Sequence, residues 1–105
     1  MTEQTQLAPV TVAVTVPVSP ARAFDFFTVG YDDWRTPGHF IGAVEPELIV
    51  LEPFVGGRWF ERAPDGTECE WGAVLECDPP HRIVMSWQIG IDWQFHPDEA
   101  SRVEV

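Results

Sequence analysis

Residues 56–87 read GGRWFERAPDGTECEWGAVLECDPPHRIVMSW, and the spacing of their turn residues writes out an antiparallel meander. Gly56-Gly57 opens it. Strand 58–63 meets strand 67–77 through Ala63-Pro64-Asp65-Gly66, where proline suits the first central turn position and glycine accepts a positive φ. In the long strand Cys69, Trp71, Ala73, Leu75 and Cys77 share one face, and Glu68, Glu70, Gly72, Val74 and Glu76 share the other. The first set is apolar and is expected to point inward. Asp78-Pro79-Pro80-His81 breaks the ladder, and in strand 82–87 Ile83, Met85 and Trp87 alternate with Arg82, Val84 and Ser86.

Upstream, Val10, Val12, Val14 and Val16 alternate with Thr11, Ala13 and Thr15, the period of a strand with one buried face. Pro17 ends that expected first strand. Ser19-Pro20 then offers an N-cap hydroxyl followed by the residue best tolerated at the first helical position. The helix so begun carries Ala23, Phe24, Phe26 and Phe27 on one broad side and stops at Val29-Gly30. Tyr31-Asp32-Asp33-Trp34-Arg35 reads as a second, very short helical turn with Trp34 turned inward. From Glu47 to Glu52 the run Leu48-Ile49-Val50-Leu51 is a strand apolar on both sides, which places it under cover or near an edge. Residues 92–100 show no helical period, and Ser101-Arg102-Val103-Glu104-Val105 starts a further strand.

The chain has 105 residues, 45% of them hydrophobic and 12% aromatic, which fits a single domain with a modest core. No apolar run approaches the roughly 20 residues that span a bilayer. Residues 1–8 lack the basic start and apolar centre of a secretion signal and read as a polar, disordered tail before a domain over 9–105, with the cytoplasm as the expected location. Six basic against seventeen acidic residues leave a net charge of -11, and no lysine is present. Such a surface lacks the clustered cations that phosphate backbones and anionic lipid require, so neither nucleic acid nor membrane is an expected partner. Cys69 and Cys77 lie about 26 Å apart along one strand, far beyond the roughly 7 Å of a disulfide, and read as small apolar residues of a reduced protein.

The chemistry-bearing residues are mostly aromatic. Phe24, Trp34, Trp59, Trp71, Met85 and Trp87 fall on inward faces, where large rings either fill a core or bound a cavity for a flat, greasy molecule. Ala73 and Leu75 complete the expected lining. No His is spaced with another His, Cys or carboxylate as a metal site requires, and no cofactor motif is present. A solvated loop imidazole is the expected account of His39, His81 and His96 alike, and His39, in Pro37-Gly38-His39-Phe40 at the mouth of a cup, is the one to test as an acid-base group. Glu61 shares Trp59's face and is the carboxyl group expected to look into the pocket. Arg58 and Arg62 fall on the opposite face, in reach of cross-strand acids.

The Val-alternating first strand, Ser19-Pro20-Ala21-Arg22-Ala23-Phe24, Gly56-Gly57-Arg58-Trp59, Trp71-Gly72-Ala73-Val74-Leu75-Glu76, Asp78-Pro79-Pro80-His81-Arg82-Ile83 and Ser86-Trp87 together resemble the START-like superfamily (SRPBCC, Bet v-type helix-grip). Within it the chain is similar to the C-terminal domain of the heat-shock chaperone ATPase activator. The resemblance implies an α+β fold in which a curved antiparallel sheet, with two short helices after the first strand, wraps a cavity. It also implies a long C-terminal helix over that cavity, which this chain lacks, so it resembles the first two-thirds of such a domain. An uncovered sheet would favour a homodimer. Three functions are compatible with the resemblance: binding of a small hydrophobic molecule in the Trp-lined cup, a chaperone-directed interaction module of a stress response, or a cyclase or hydrolase with His39 or Glu61 as acid-base residue. The first is preferred, without covalent chemistry.

Overall fold

A computed structural model describes residues 10–35 and 37–105. The polar tail expected over residues 1–8 lies outside them, as does Thr36. Two short helices, α1 (Pro20–Phe27) and α2 (Tyr31–Trp34), precede five strands: β1 (Leu48–Leu51), β2 (Arg58–Arg62), β3 (Glu68–Asp78), β4 (Arg82–Trp87) and β5 (Ser101–Glu104). The strands form one antiparallel sheet in the order β1-β2-β3-β4-β5. This is the α+β, curved-sheet architecture expected of a helix-grip domain.

Local chemistry explains each element. The Ser19 hydroxyl caps α1 by accepting from the Arg22 N–H at 3.2 Å, with Pro20 at the first helical position. At the helix end Thr28 is buried, and its N–H and hydroxyl both donate to the Phe24 carbonyl, at 3.0 and 2.8 Å. Asp32 ties α2 to the sheet, since its Oδ1 accepts from the Ile49 N–H at 2.8 Å and pairs with Arg35 Nε at 3.1 Å. The turns into and out of β2 place Gly56 and Gly66 at φ of 86° and 91°, a region that side-chain-bearing residues avoid. Asp65 Oδ1 accepts from the Thr67 N–H at 2.9 Å, which holds its carboxyl below the usual carboxylate range.

The core is one cluster on the concave side, built on Ile49, Leu51, Trp59, Trp71, Val74, Ile83 and Met85, with Tyr31 from α2 and Ile89 joining it. Phe24 and Phe27 of α1 pack against its edge, whereas Phe26, expected on the same buried side, is 57% exposed. On the convex face Phe60 is nonetheless buried, because the Arg58 and Arg62 guanidinium groups lie 3.9 and 5.6 Å from its ring centroid. Arg58 pairs there with Glu68 and Glu70, and Arg62 with Glu68.

Two expectations about strands are corrected. Residues 10–16 join no sheet, and Val10, Val12 and Val14 stand 94%, 83% and 80% exposed. Their alternation prepares a face, but a strand is held only by a neighbouring ladder, and none of the described strands pairs with this segment. The strict alternation expected along β3 also fails, at two bulges. The pairing with β2 jumps from Phe60↔Glu70 to Trp59↔Gly72, and the pairing with β4 from Val74↔Met85 to Glu76↔Val84. Each extra residue reverses the parity of the strand beyond it. Ala73 therefore lies opposite Arg58, Val74 enters the core, and Leu75 turns out to solvent at 44% exposure.

Candidate functional site

The concave side holds a half-open cavity of about 250 Å³ between α2, the loop after it, the sheet and the segment before β5. Indoles make most of its wall. The Trp59 ring lies 5.7 Å from Trp71 and 5.4 Å from Trp87, and Trp71 meets Trp87 edge-on at 5.9 Å. Tyr31 and Trp34, one turn apart on α2, close one side with ring centroids 4.4 Å apart. Trp93 and His39 stand at the rim, 6.1 Å apart.

Trp93 sits at φ 58° in a tight loop where the Gly90 N–H donates to the Gln94 carbonyl and the Trp93 N–H to the Gly90 carbonyl, both at 3.0 Å. His96 and Asp92 brace that loop, with His96 Nε2 2.9 Å from Asp92 Oδ1. The pair raises the imidazole above its ordinary range and lowers the carboxyl below its own.

The polar groups of the cavity wall divide into satisfied and unsatisfied. Trp34 Nε1 donates to the Phe26 carbonyl at 3.0 Å and Trp71 Nε1 to Glu61 Oε1 at 2.9 Å. Arg35 spends Nε on Asp32 and Nη2 on the Pro46 carbonyl at 3.0 Å, while Nη1 is 3.8 Å from Glu45, beyond hydrogen-bond reach. Among the described residues two buried side-chain nitrogens have no hydrogen-bond partner: Arg35 Nη1 and Trp59 Nε1. Both belong to side chains that line this cavity. A buried donor left unmade costs about 1–3 kcal/mol. Burial raises the Tyr31 phenol above its ordinary value, and the nearby Trp59 indole opposes that rise to a lesser degree without reaching hydrogen-bond geometry. The phenol therefore stays a neutral hydroxyl in the wall.

The family model described as Activator of Hsp90 ATPase homolog 1-like protein matches residues 17–105. The chain belongs to this family. Among solved structures, one described as "An anthrahydroquino-Gama-pyrone synthase Txn09 complexed with SUM" is similar at 45% identity with a TM-score of 0.53, over 82% of this chain and 57% of that one. The chain thus spans little more than half the length of that neighbour. No curated protein matches the chain.

The concave cavity gathers five of the ten residues expected to line it: Trp34, His39, Trp59, Trp71 and Trp87. The other five lie elsewhere. Phe24 faces a separate depression of about 170 Å³ at the start of β4, beside Pro80 and Ile83. Met85 is fully buried within the core. The two β3 bulges turn Ala73 and Leu75 away from the cavity. Glu61 is 2% exposed and turns its oxygens away from ligand duty, accepting from the Ile41 N–H at 2.6 Å, the Gly42 N–H at 3.1 Å and the Trp71 indole. A carboxyl group so occupied positions a loop and an indole, which displaces the expectation that it faces the pocket.

Sequence reasoning missed Tyr31, Arg35 and Trp93. The i, i+3, i+4 spacing of Tyr31, Trp34 and Arg35 would have placed the first two beside one another, whereas Trp93 arrives through a long-range loop with no periodic signal. Among the described residues no three His, Cys, Asp or Glu side chains are grouped to hold a metal ion, and no helix is long and apolar enough to cross a membrane. Burial raises the Cys69 and Cys77 thiols, with Glu61 and Glu70 adding to the rise at Cys69, which disfavours the reactive thiolate form.

Proposed function

We propose that this domain binds a small, flat, mainly apolar molecule in the concave cavity. The observation that carries the reading is the convergence of Trp59, Trp71 and Trp87, three indoles from three adjacent strands, around one half-open space. Rings of this kind offer large contact areas to a flat ligand at little cost in side-chain entropy. Size narrows the ligand. At about 250 Å³ the space falls just under the ~300 Å³ at which pockets for drug-sized molecules begin, so it encloses one or two fused rings and leaves any remainder toward the rim.

A second reading, catalysis on the bound molecule, is favoured by the solved neighbour's description as a synthase. The oxygen-bearing fused rings in that description are the kind of scaffold an indole-lined wall suits. His39 at the rim is the acid-base candidate of that reading.

Titration of the intact chain with naphthalene, followed on the five indole N–H signals in a nitrogen-correlated NMR spectrum, tests the binding reading. Saturable shifts of the Trp59, Trp71 and Trp87 signals are expected, weakened at least tenfold in Trp87→Ala. Shifts confined to Trp34 and Trp93, or none, would overturn it.

A further inference from the structure

We propose that residues 10–16 of one copy of this chain pair with the free edge of β5 in a second copy, and that the exchange is reciprocal, joining two sheets into one. It stands independently of ligand binding in the cavity.

β5 ends the sheet, and none of the described strands pairs with its outer edge. Val105 and Ile83 exchange both backbone hydrogen bonds at 2.9 Å, so by alternation the Ser101, Val103 and Val105 amides face β4 while those of Arg102 and Glu104 face outward. Such an edge is a template for another extended chain. Residues 10–16 are a chain of that kind: Val10, Val12 and Val14 alternate with Thr11, Ala13 and Thr15, stand almost wholly exposed and join no sheet.

The two patterns match. On β5 Val103 packs against the core and lines the concave cavity, whereas Arg102 and Glu104 fall on the opposite face and pair with Glu76 and Arg82. An added strand continues both faces when its valines stand beside Val103 and its Thr and Ala residues beside the two charged ones. Charge favours the same segment. The chain carries a net charge of -11, so two copies repel, yet residues 4–21 hold no charged side chain, the longest such run in the sequence. The exchange lays that run against an edge whose own charges are already paired.

Chain direction selects a second copy over the chain's own segment. Pro20, at the start of α1, and Val105 line one depression, so the segment leading into α1 arrives at the C-terminal end of β5. Laid along its own β5 it would run parallel, the less stable pairing, in a sheet whose every pair is antiparallel. A copy related by a two-fold axis removes the conflict. Its segment enters between β5 and the first copy's own segment, antiparallel to both, and the contact closes on itself. Each copy contributes twelve residues, 10–16 and 101–105, about half of the roughly 20–30 a side in a standard interface. The dimer is therefore expected to be weak and concentration-dependent.

Sedimentation velocity of the intact chain from about 1 μM to about 1 mM should show a monomer passing reversibly into a dimer. Over the same range the Arg102 and Glu104 amides should come to exchange with solvent at least tenfold more slowly. Val12→Pro, which deletes an amide of the exchanged strand, should weaken the dimer at least tenfold, and Val14→Lys, which sets a charge beside Val103, should do the same. Both positions are exposed, so at low concentration each variant should keep the thermal midpoint of the unsubstituted chain.

A monomer at every concentration would overturn the exchange. So would a dimer in which the Arg102 and Glu104 amides stay fast, since the copies then meet elsewhere. Protection of those amides that does not depend on concentration would overturn it in favour of the chain's own segment lying on β5. Growth past two copies would show an open contact in place of a closed one and overturn it as well. Amide exchange on the unsubstituted chain decides the matter even where a substituted chain does not fold.

Discussion

Glu61 on β2 receives the Trp71 indole N–H of β3 at 2.9 Å, on the same oxygen that receives the Ile41 amide at 2.6 Å. One buried carboxyl group thereby fixes a ring of the cavity wall and the loop that leads into β1. Gly42 permits the arrangement: its amide donates to the other Glu61 oxygen at 3.1 Å, and a Cβ at that position would meet the same oxygen at 3.0 Å. All three partners are donors, so the site needs acceptors on both oxygens.

Glu61→Gln should therefore destabilise the fold more than its size suggests. The amide nitrogen that replaces one oxygen faces an N–H, leaving a buried donor unpaired, which costs about 2–3 kcal/mol. In a domain of this size the thermal midpoint falls by about 10 °C or more. Calorimetry measures it. A drop under about 2 °C would show that the loop does not depend on the carboxyl group.

Val74→Ala and Leu75→Ala form a matched pair that reads the first β3 bulge, between Glu70 and Gly72. Val74 is 2% exposed in the core, while Leu75 is 44% exposed. Truncating Val74 should cost about 2 kcal/mol, and truncating Leu75 should stay within about 0.5 kcal/mol. Urea unfolding with an unchanged m-value checks both. A reversed order would restore the strict alternation that the residue pattern suggests.

That reversal marks where pattern reading stops. The turns at Gly56 and Asp65-Gly66 have local chemistry, and β2, β3 and β4 follow from them and from residue alternation, while β1 follows from its short apolar run. A bulge adds one residue with no local signature, so Trp71 and Val74 share the core across an odd spacing that alternation cannot express. The expected strand over residues 10–16 failed for a related reason, since alternation specifies a face and is silent about a partner. In the cavity, the indoles on strands were legible by parity. Arg35 and Trp93 were not, because their places depend on contacts with Asp32, Pro46 and His39 that only the folded chain brings together.

Gly72→Ala should be among the most damaging single-methyl additions. Trp59 faces Gly72 across the β2–β3 ladder, and on the other side a Cβ would be driven far inside contact distance of the Ser86 carbonyl oxygen, a backbone atom with little room to yield. Overpacking of this kind costs about 3 kcal/mol. The Ser86 hydroxyl, which accepts from the Ala73 N–H at 2.9 Å and donates to Gln88 at 2.8 Å, would be displaced with it. Thermal unfolding tests this, and a midpoint within about 3 °C of the unsubstituted chain would contradict the close approach of β3 and β4.

The His96–Asp92 pair should make the rim of the cavity pH-dependent. The hydrogen bond that His96 donates to Asp92 is the main cause that lifts His96 above its ordinary value of 6.5, with burial opposing and the charges of Asp92 and Glu99 adding. The same bond is the main cause that lowers Asp92 below its ordinary 3.8. A raised histidine contributes stability in full below 6.5 and loses it as pH rises through the folded value; a lowered aspartate contributes above 3.8 and loses it as pH falls. The pair is therefore at full strength between those two ordinary values, and both groups are exposed, so the effect is local rather than global. Gly90 lies directly beneath the pair, where a Cβ would meet Asp92 Oδ1 and His96 Nε2 at 2.8 Å, and Trp93 hangs from the same loop. Amide exchange of the 90–96 loop should accelerate as pH rises through the His96 titration beyond its intrinsic base-catalysed rate. Asp92→Asn should abolish that step and return the His96 ring, followed by NMR, toward 6.5. An unchanged His96 titration in Asp92→Asn would show that the carboxyl group does not brace the loop.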